Sequence, residues 1–214
     1  MDRTDMLHVM YDKKGPKVAA AFTKRNFEAY YCATKEEALE KALSLIPKED
    51  VISWGGSVSI NEIGLRPYVL EHGYKVINRD DAKTMPERME IMRQALLCDT
   101  FLMSSNAAIE DGQLFNIDGN GNRVAALCYG PKQVIVILGM NKVMPNVHSA
   151  IDRARSVAAP INIQRFGVKT ACATTGMCVD CISPDCACSH FVLTRFCKLT
   201  SRIKVILVGE NLGY

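Results

Sequence analysis

Three short polar stretches carry the residue types that binding chemistry needs. Gly55-Gly56-Ser57, Ser104-Ser105-Asn106 and Gly139-Met140-Asn141-Lys142 each follow an apolar run directly. Gly55, Gly56 and Gly139 let a ligand approach the backbone. The Ser57 hydroxyl, the amides of the helix start expected behind it, the Asn106 and Asn141 side chains and the Lys142 ammonium suit a negatively charged molecule. Asn122 and Arg123 follow a Gly/Asn-rich turn, where Arg123 either adds charge for a phosphate or carboxylate or anchors a sheet edge. Glu62 and the adjacent Glu110-Asp111 pair supply carboxylates for general acid or base work. Their competing roles are helix capping for Glu62 and turn formation for Glu110-Asp111. No P-loop, complete G-x-G-x-x-G or serine-hydrolase elbow is present.

A second concentration of chemistry lies near the carboxyl end. Of nine cysteines, six (Cys172, Cys178, Cys181, Cys186, Cys188 and Cys197) fall in one short window, while Cys32, Cys98 and Cys128 stand alone in apolar stretches. Cys178-x-x-Cys181 places two thiolates within reach of one ion. Pro184 and its small neighbours can turn the chain back to bring Cys186 or Cys188 to the same point, and Cys172 can complete four sulfurs. Such sites suit zinc or an iron–sulfur cluster. A thiol–disulfide pair is the alternative.

The elements that must position these loops read as alternating strands and helices. Val51–Trp54, Thr100–Met103, Gln133–Leu138 and Ile203–Val208 are short apolar strands, with Phe27–Cys32 and Tyr74–Ile77 beside them. Thr34–Glu37, Ser59–Glu62 and Thr84–Glu87 have the capping-box pattern and start helices. Met89, Met92 and Leu96 make the inward side of the third. Val147–Ala158 carries the clearest apolar stripe, and Pro160 follows it. Leu114–Ile117 and Arg123–Leu127, joined by Asp118–Asn122, read as an antiparallel hairpin. The fold class is therefore a three-layer α/β/α domain with a mostly parallel sheet, in which ligands bind beyond the carboxyl ends of the strands. Residues 1–165 form its core, 166–202 a cysteine-rich insertion or appendage, and 203–214 a final strand returning to the sheet.

Bulk properties narrow the function classes. The chain has 214 residues, 48% apolar and 23% charged, the balance of an ordinary globular protein. A net charge of +3, with the basic residues scattered, argues against nucleic acid. There is no apolar run long enough to span a bilayer and no secretory h-region, so a cytoplasmic protein without membrane contact is expected. Self-association into a homo-oligomer is compatible with this composition.

Four stretches together resemble the lactate-utilisation (LUD) domain family: Gly55–Leu65, Ser104–Leu127, Tyr129–Val143 and Ala158–Asn162. They are similar to its pattern of GGS-x-T-x-x-E-x-G, S-x-NA-x-x-x-DG, GNRVA and GPK-x-V-x-V-x-G-x-NK, with Ser59 where threonine is usual. The resemblance implies a fold like that of ribose-5-phosphate isomerases, CoA transferases and formyltetrahydrofolate cyclo-ligases. It further implies a small anionic metabolite as ligand, a place in lactate or related organic-acid use, and iron–sulfur proteins as partners. It also implies Cys172, Cys178, Cys181 and Cys188 as metal ligands, leaving Cys186 as an extra thiol.

Overall fold

Helices and strands alternate through the first half of the chain. In the computed structural model, which describes residues 2–214, α1 (Arg3–Thr23) leads to β1 (Glu28–Cys32) and α2 (Lys35–Ser44) to β2 (Val51–Trp54). The short α3 (Ser59–Glu62) and α4 (Leu65–Glu71) precede β3 (Lys75–Val76), and α5 (Met85–Gln94) precedes β4 (Thr100–Met103). A hairpin of β5 (Ala107–Ile109) and β6 (Gln113–Asp118) follows, then α6 (Asn122–Cys128), β7 (Gln133–Gly139) and β8 (Val143–Met144). Helices α7 (Val147–Arg153), α8 (Ala159–Ile163) and α9 (Ala171–Thr175) lead to β9 (His190–Thr194) and β10 (Ile203–Val208).

Six strands pair in parallel in the order β1-β10-β7-β4-β2-β3. Strand β7 is apolar without a break from Val134 to Leu138 because it is an inner strand covered on both faces. Its alternate side chains feed two cores. Val134, Val136 and Leu138 pack with Val18 and Phe22 of α1. Ile135 and Ile137 pack with Ala38 and Ala42 of α2 and with Ile60 and Leu65 beyond β2. That is the three-layer arrangement read from the sequence.

A second sheet, β8-β5-β6-β9, is mixed: β5 and β9 flank β6 antiparallel, and β8 runs parallel to β5. Helix α7 covers it, with Ala150 and Ala154 against Ile109, Phe115 and Ile117. Here the structure corrects the sequence reading. The partner of β6 is β5, through the turn Glu110-Asp111-Gly112, and Arg123–Leu127 is helix, not strand. Gly121, at φ +80°, ends the extended run, and Val124 and Leu127 bury at helical spacing. Strand β9 comes from the 166–202 segment, so the cysteine-rich stretch is sewn into this sheet by five residue pairs with β6. Cys197 is buried in the core against which α1 packs.

Thr34 and Thr84 cap α2 and α5, accepting from Glu37 N–H at 3.2 Å and Glu87 N–H at 3.3 Å. Ser59 caps nothing: it lies inside α3, and Ser57 Oγ accepts from Ile60 N–H instead. Of Met89 and Met92 only Met92 is buried. The helix read as Val147–Ala158 does not stop at Ala158. A π-helical turn at 154–158 joins α7 to α8, and Pro160 falls in the first turn of α8, where its missing N–H is not needed.

Ile135 is fully buried at the centre of β7. Ile135→Ala is expected to cost about 2–5 kcal/mol, read as a lowered urea midpoint at unchanged slope. A loss below about 1 kcal/mol would contradict the central place given to β7.

Candidate functional site

Strands β2, β4 and β7 are neighbours and parallel, so their carboxyl ends share one edge. The loops that follow them meet there and, with α6, α8 and the cysteine-rich loop, line a cavity of about 950 Å³. Gly56, Ser57, Asn106, Asn122, Arg123 and Lys142 all reach its wall. The three polar stretches far apart in sequence are thus brought together.

Arg123 does not offer its charge to a ligand. Its Nη1 donates to Ser104 O at 2.9 Å and Asn116 Oδ1 at 2.5 Å. Nη2 donates to Asn106 Oδ1 at 3.0 Å and Ile117 O at 2.6 Å. Nε lies 3.5 Å from Asp118 Oδ2. Both Nη atoms are committed, and the guanidinium ties the loop after β4 to the end of β6. The Asn106 Oδ1 is likewise engaged, since it also accepts from Ile117 N–H. Arg153, projecting from α7, adds a second tie by donating to Asn106 O at 2.6 Å and Asn141 O at 3.3 Å.

Lys142 sits at the floor, only 4% exposed. Its Nζ donates to Ser59 Oγ at 2.9 Å and Ser104 Oγ at 3.2 Å. Burial first, then the Arg153 cation, bring its pKa down to about 7; Glu62 pulls the other way, and Arg123 adds a smaller push down. Gly213 presses on the same amine: at φ +57°, a Cβ there would lie 2.9 Å from Nζ. The Glu62 carboxylate holds that residue by accepting from its N–H at 2.6 Å. Asn141 does the same for Leu212, accepting from its N–H at 3.1 Å. Glu62 and Asn141 therefore fix the carboxyl-terminal residues rather than face the cavity.

The formal charge at the mouth comes from two residues that the sequence reading passed over. Arg79 and Arg165 converge on Gly56, where a Cβ would lie 2.9 Å from Arg79 Nη2 and 3.9 Å from Arg165 Nη2. Arg79 makes only a 3.9 Å contact to Met92 Sδ and a 4.0 Å approach to Asp80, and its buried Nε has no partner. Burial first, then Arg88, hold it below its ordinary pKa. Arg165 stacks on Phe166. Nothing in their local sequence marks them, because each arrives from a loop remote from the glycine it faces.

The remaining expected residues lie elsewhere. Gly55 packs on the Arg123 side chain and Gly139 on the backbone of 210–212. Glu110 pairs with Lys14 at 2.7 Å and Asp111 with Arg25 at 2.7 Å, pinning the β5–β6 turn to α1. Neither carboxylate reaches the cavity.

The thiols are gathered but not converged. Cys186 and Cys188 Sγ atoms are 3.3 Å apart, and Arg155 approaches Cys178 Sγ at 3.6 Å. Burial, then Cys186, then Cys178 and Cys181, push the Cys188 thiol up to about 12. Cys172 stands on α9 beside Thr170 Oγ1. Among the described residues, no three His, Cys, Asp or Glu side chains meet closely enough to hold a metal ion. Pro184 to Ala187 form part of the cavity wall. No helix among those residues is long and apolar enough to cross a membrane.

Residues 16–208 match the LUD domain. A crystal structure of a DUF162 family protein from Deinococcus radiodurans is similar in fold, with a TM-score of 0.54 at 14% identity, covering 92% of this chain and 97% of that one. No curated protein matches the chain.

The low pKa of Lys142 makes stability depend on pH in a definite direction. The unfolded lysine keeps its proton to about 10.5, whereas the folded one loses it near 7. Between those values the unfolded state binds more protons, so stability contributed by this site rises with pH, and the penalty is complete below about 7. Wild type should therefore gain melting temperature relative to Lys142→Met as pH is raised from neutral to 9 or so. A pH-independent difference would show that the amine is charged in the fold.

Proposed function

The chain belongs to the LUD domain family, and we propose that it binds a small anionic metabolite in the cavity at the ends of β2, β4 and β7, in lactate or related organic-acid use. The observation that carries this reading is the pair of guanidiniums, Arg79 and Arg165, facing Gly56 in the cavity wall, with the Asp80 carboxylate no nearer to Arg79 than 4.0 Å. Arg79 is largely desolvated and its Asp80 contact is long, a costly placement that an anionic ligand would relieve. Ser57 and Asn122 line the same space and offer neutral hydrogen bonds. The fixed geometry of guanidinium suits a carboxylate or phosphate better than a lone ammonium does.

Arg79→Ala and Arg165→Ala should each weaken anion binding by roughly tenfold or more, since a hydrogen bond to a charged group is worth about 1.5–3 kcal/mol. Gly56→Val should do the same by displacing the arginine ends while leaving the core intact. Thermal-shift titration with organic acids, sugar phosphates and CoA esters reads this out. Equal stabilisation of wild type and the three variants would end the proposal.

A second reading rests on the thiols of Cys178, Cys181 and Cys186, all of which lie near enough to push up the pKa of Cys188. There the chain is an iron–sulfur or zinc-binding accessory subunit of an electron-transfer system, and soft sulfur ligands are the right donors for either. The test is anaerobic purification with elemental analysis of wild type and of Cys178→Ala. Near-stoichiometric iron or zinc, lost in the variant, supports it; metal-free protein from anaerobic cells removes it.

A further inference from the structure

We infer that Lys142 is an imine-forming amine, and that the anion taken by the cavity carries a ketone or aldehyde carbonyl. This rests on the anion-binding reading and gives it a substrate class. The geometry is that of a neutral amine in waiting. A neutral lysine has two N–H groups and one lone pair. Both hydrogen-bond partners of Nζ are hydroxyls, Ser59 Oγ and Ser104 Oγ, not carboxylates. Two hydroxyls therefore engage the two N–H groups and leave the lone pair unspent, on a side chain that lines the cavity.

The electrostatic surroundings agree. The charged groups acting on the amine are Arg153, Arg123 and Glu62. The first two are fixed by hydrogen bonds and cannot withdraw, and Glu62 is held by Gly213 N–H. Together with burial they bring the pKa to about 7. Desolvation beside a second cation is a recognised way to make a lysine nucleophilic at neutral pH. An ordinary lysine is neutral in roughly 1 molecule in 2,500 at pH 7, and Lys142 in about half.

The step balances without an oxidant or reductant. With the anionic group held by Arg79 and Arg165, the Nζ lone pair attacks the carbonyl carbon, and the carbonyl π pair moves to oxygen. A proton passes from nitrogen to that oxygen through a serine hydroxyl, giving a carbinolamine. The nitrogen pair then expels the hydroxyl, which leaves as water with a second proton, and a C=N bond remains. Ser59 and Ser104 are positioning residues that orient the amine and relay the proton.

The experiment is reductive trapping on the full chain. Wild type is incubated at neutral pH with cyanoborohydride and either pyruvate or glyceraldehyde phosphate, which separates a carboxylate from a phosphate as the anionic group. Peptide mass mapping then reads labelling at every lysine. The expected result is an adduct at Lys142 on the order of a hundredfold faster than at exposed Lys132, with a pH midpoint near 7. It should slow in Ser59→Ala/Ser104→Ala and vanish in Lys142→Met. Should the methionine variant fail to fold, the wild-type ratio of Lys142 to Lys132 decides alone. Labelling at Lys142 no faster than at Lys132 overturns the inference. A thermal-shift titration with the same anions runs in parallel. Stabilisation without trapping overturns the imine and leaves the anion site standing, whereas neither effect removes both.

Discussion

The site depends on one buried guanidinium. Arg123 spends both Nη groups on the loop after β4 and the end of β6, and its Nε pairs with the Asp118 carboxylate at 3.5 Å. Those contacts join the six-stranded parallel sheet to the smaller mixed one. Removing a partner from such a buried, charge-bearing network leaves the rest unsatisfied, which is far costlier than never having built it. Gly55 is part of the same arrangement, since its lack of a side chain lets the Arg123 stem lie flat against the loop after β2. Arg153 repeats the device from the other side, joining Asn106 to Asn141.

These two arginines have a second consequence, because a fixed cation acts on every neighbouring titratable group. Arg123 and Arg153 are tied to the loops around them, and both lower the proton affinity of Lys142. Five cations in and around the site thus have three different tasks. The arginines tied into loops, Arg123 and Arg153, supply shape and field. A lysine among hydroxyls keeps a lone pair. The less engaged arginines, Arg79 and Arg165, keep donors free for an incoming anion. Counting a site's charges says little until each donor has been followed to its acceptor.

How legible this was from sequence varied with the range of the forces involved. Strands β2, β4 and β10 begin and end where the apolar runs do, because inner parallel strands must be apolar on both faces. Those strands, once parallel, place their loops on one edge, so Gly56, Ser57, Asn106 and Lys142 were found together. The β6 pairing was misread because two candidate partners flank the same strand, and turn residues on either side tolerate positive φ equally. Gly112 at φ +90° and Gly121 at φ +80° illustrate the tie. Arg79 and Arg165 were invisible because their importance comes from facing Gly56, a tertiary fact. Ser59 was taken for a cap because its spacing to Glu62 fits one. In the fold Lys142 claims its hydroxyl and Gly213 claims the glutamate.

The sulfur-rich loop is not a separate module laid beside this machinery. Strand β9 brings its downstream end to β6, the strand whose last residues hold Arg123. Its upstream part, through Cys186 and Ala187, closes one side of the cavity, and Ala187 rests against Gly119 so tightly that a Cβ there would lie 3.2 Å from its Cα. The thiol loop and the cavity therefore share a wall, with residues 184–187 and Lys142 lining one space. The two readings of function thus concern one connected structure, because the cysteine-rich loop is held by β6 and borders the cavity that Lys142 lines.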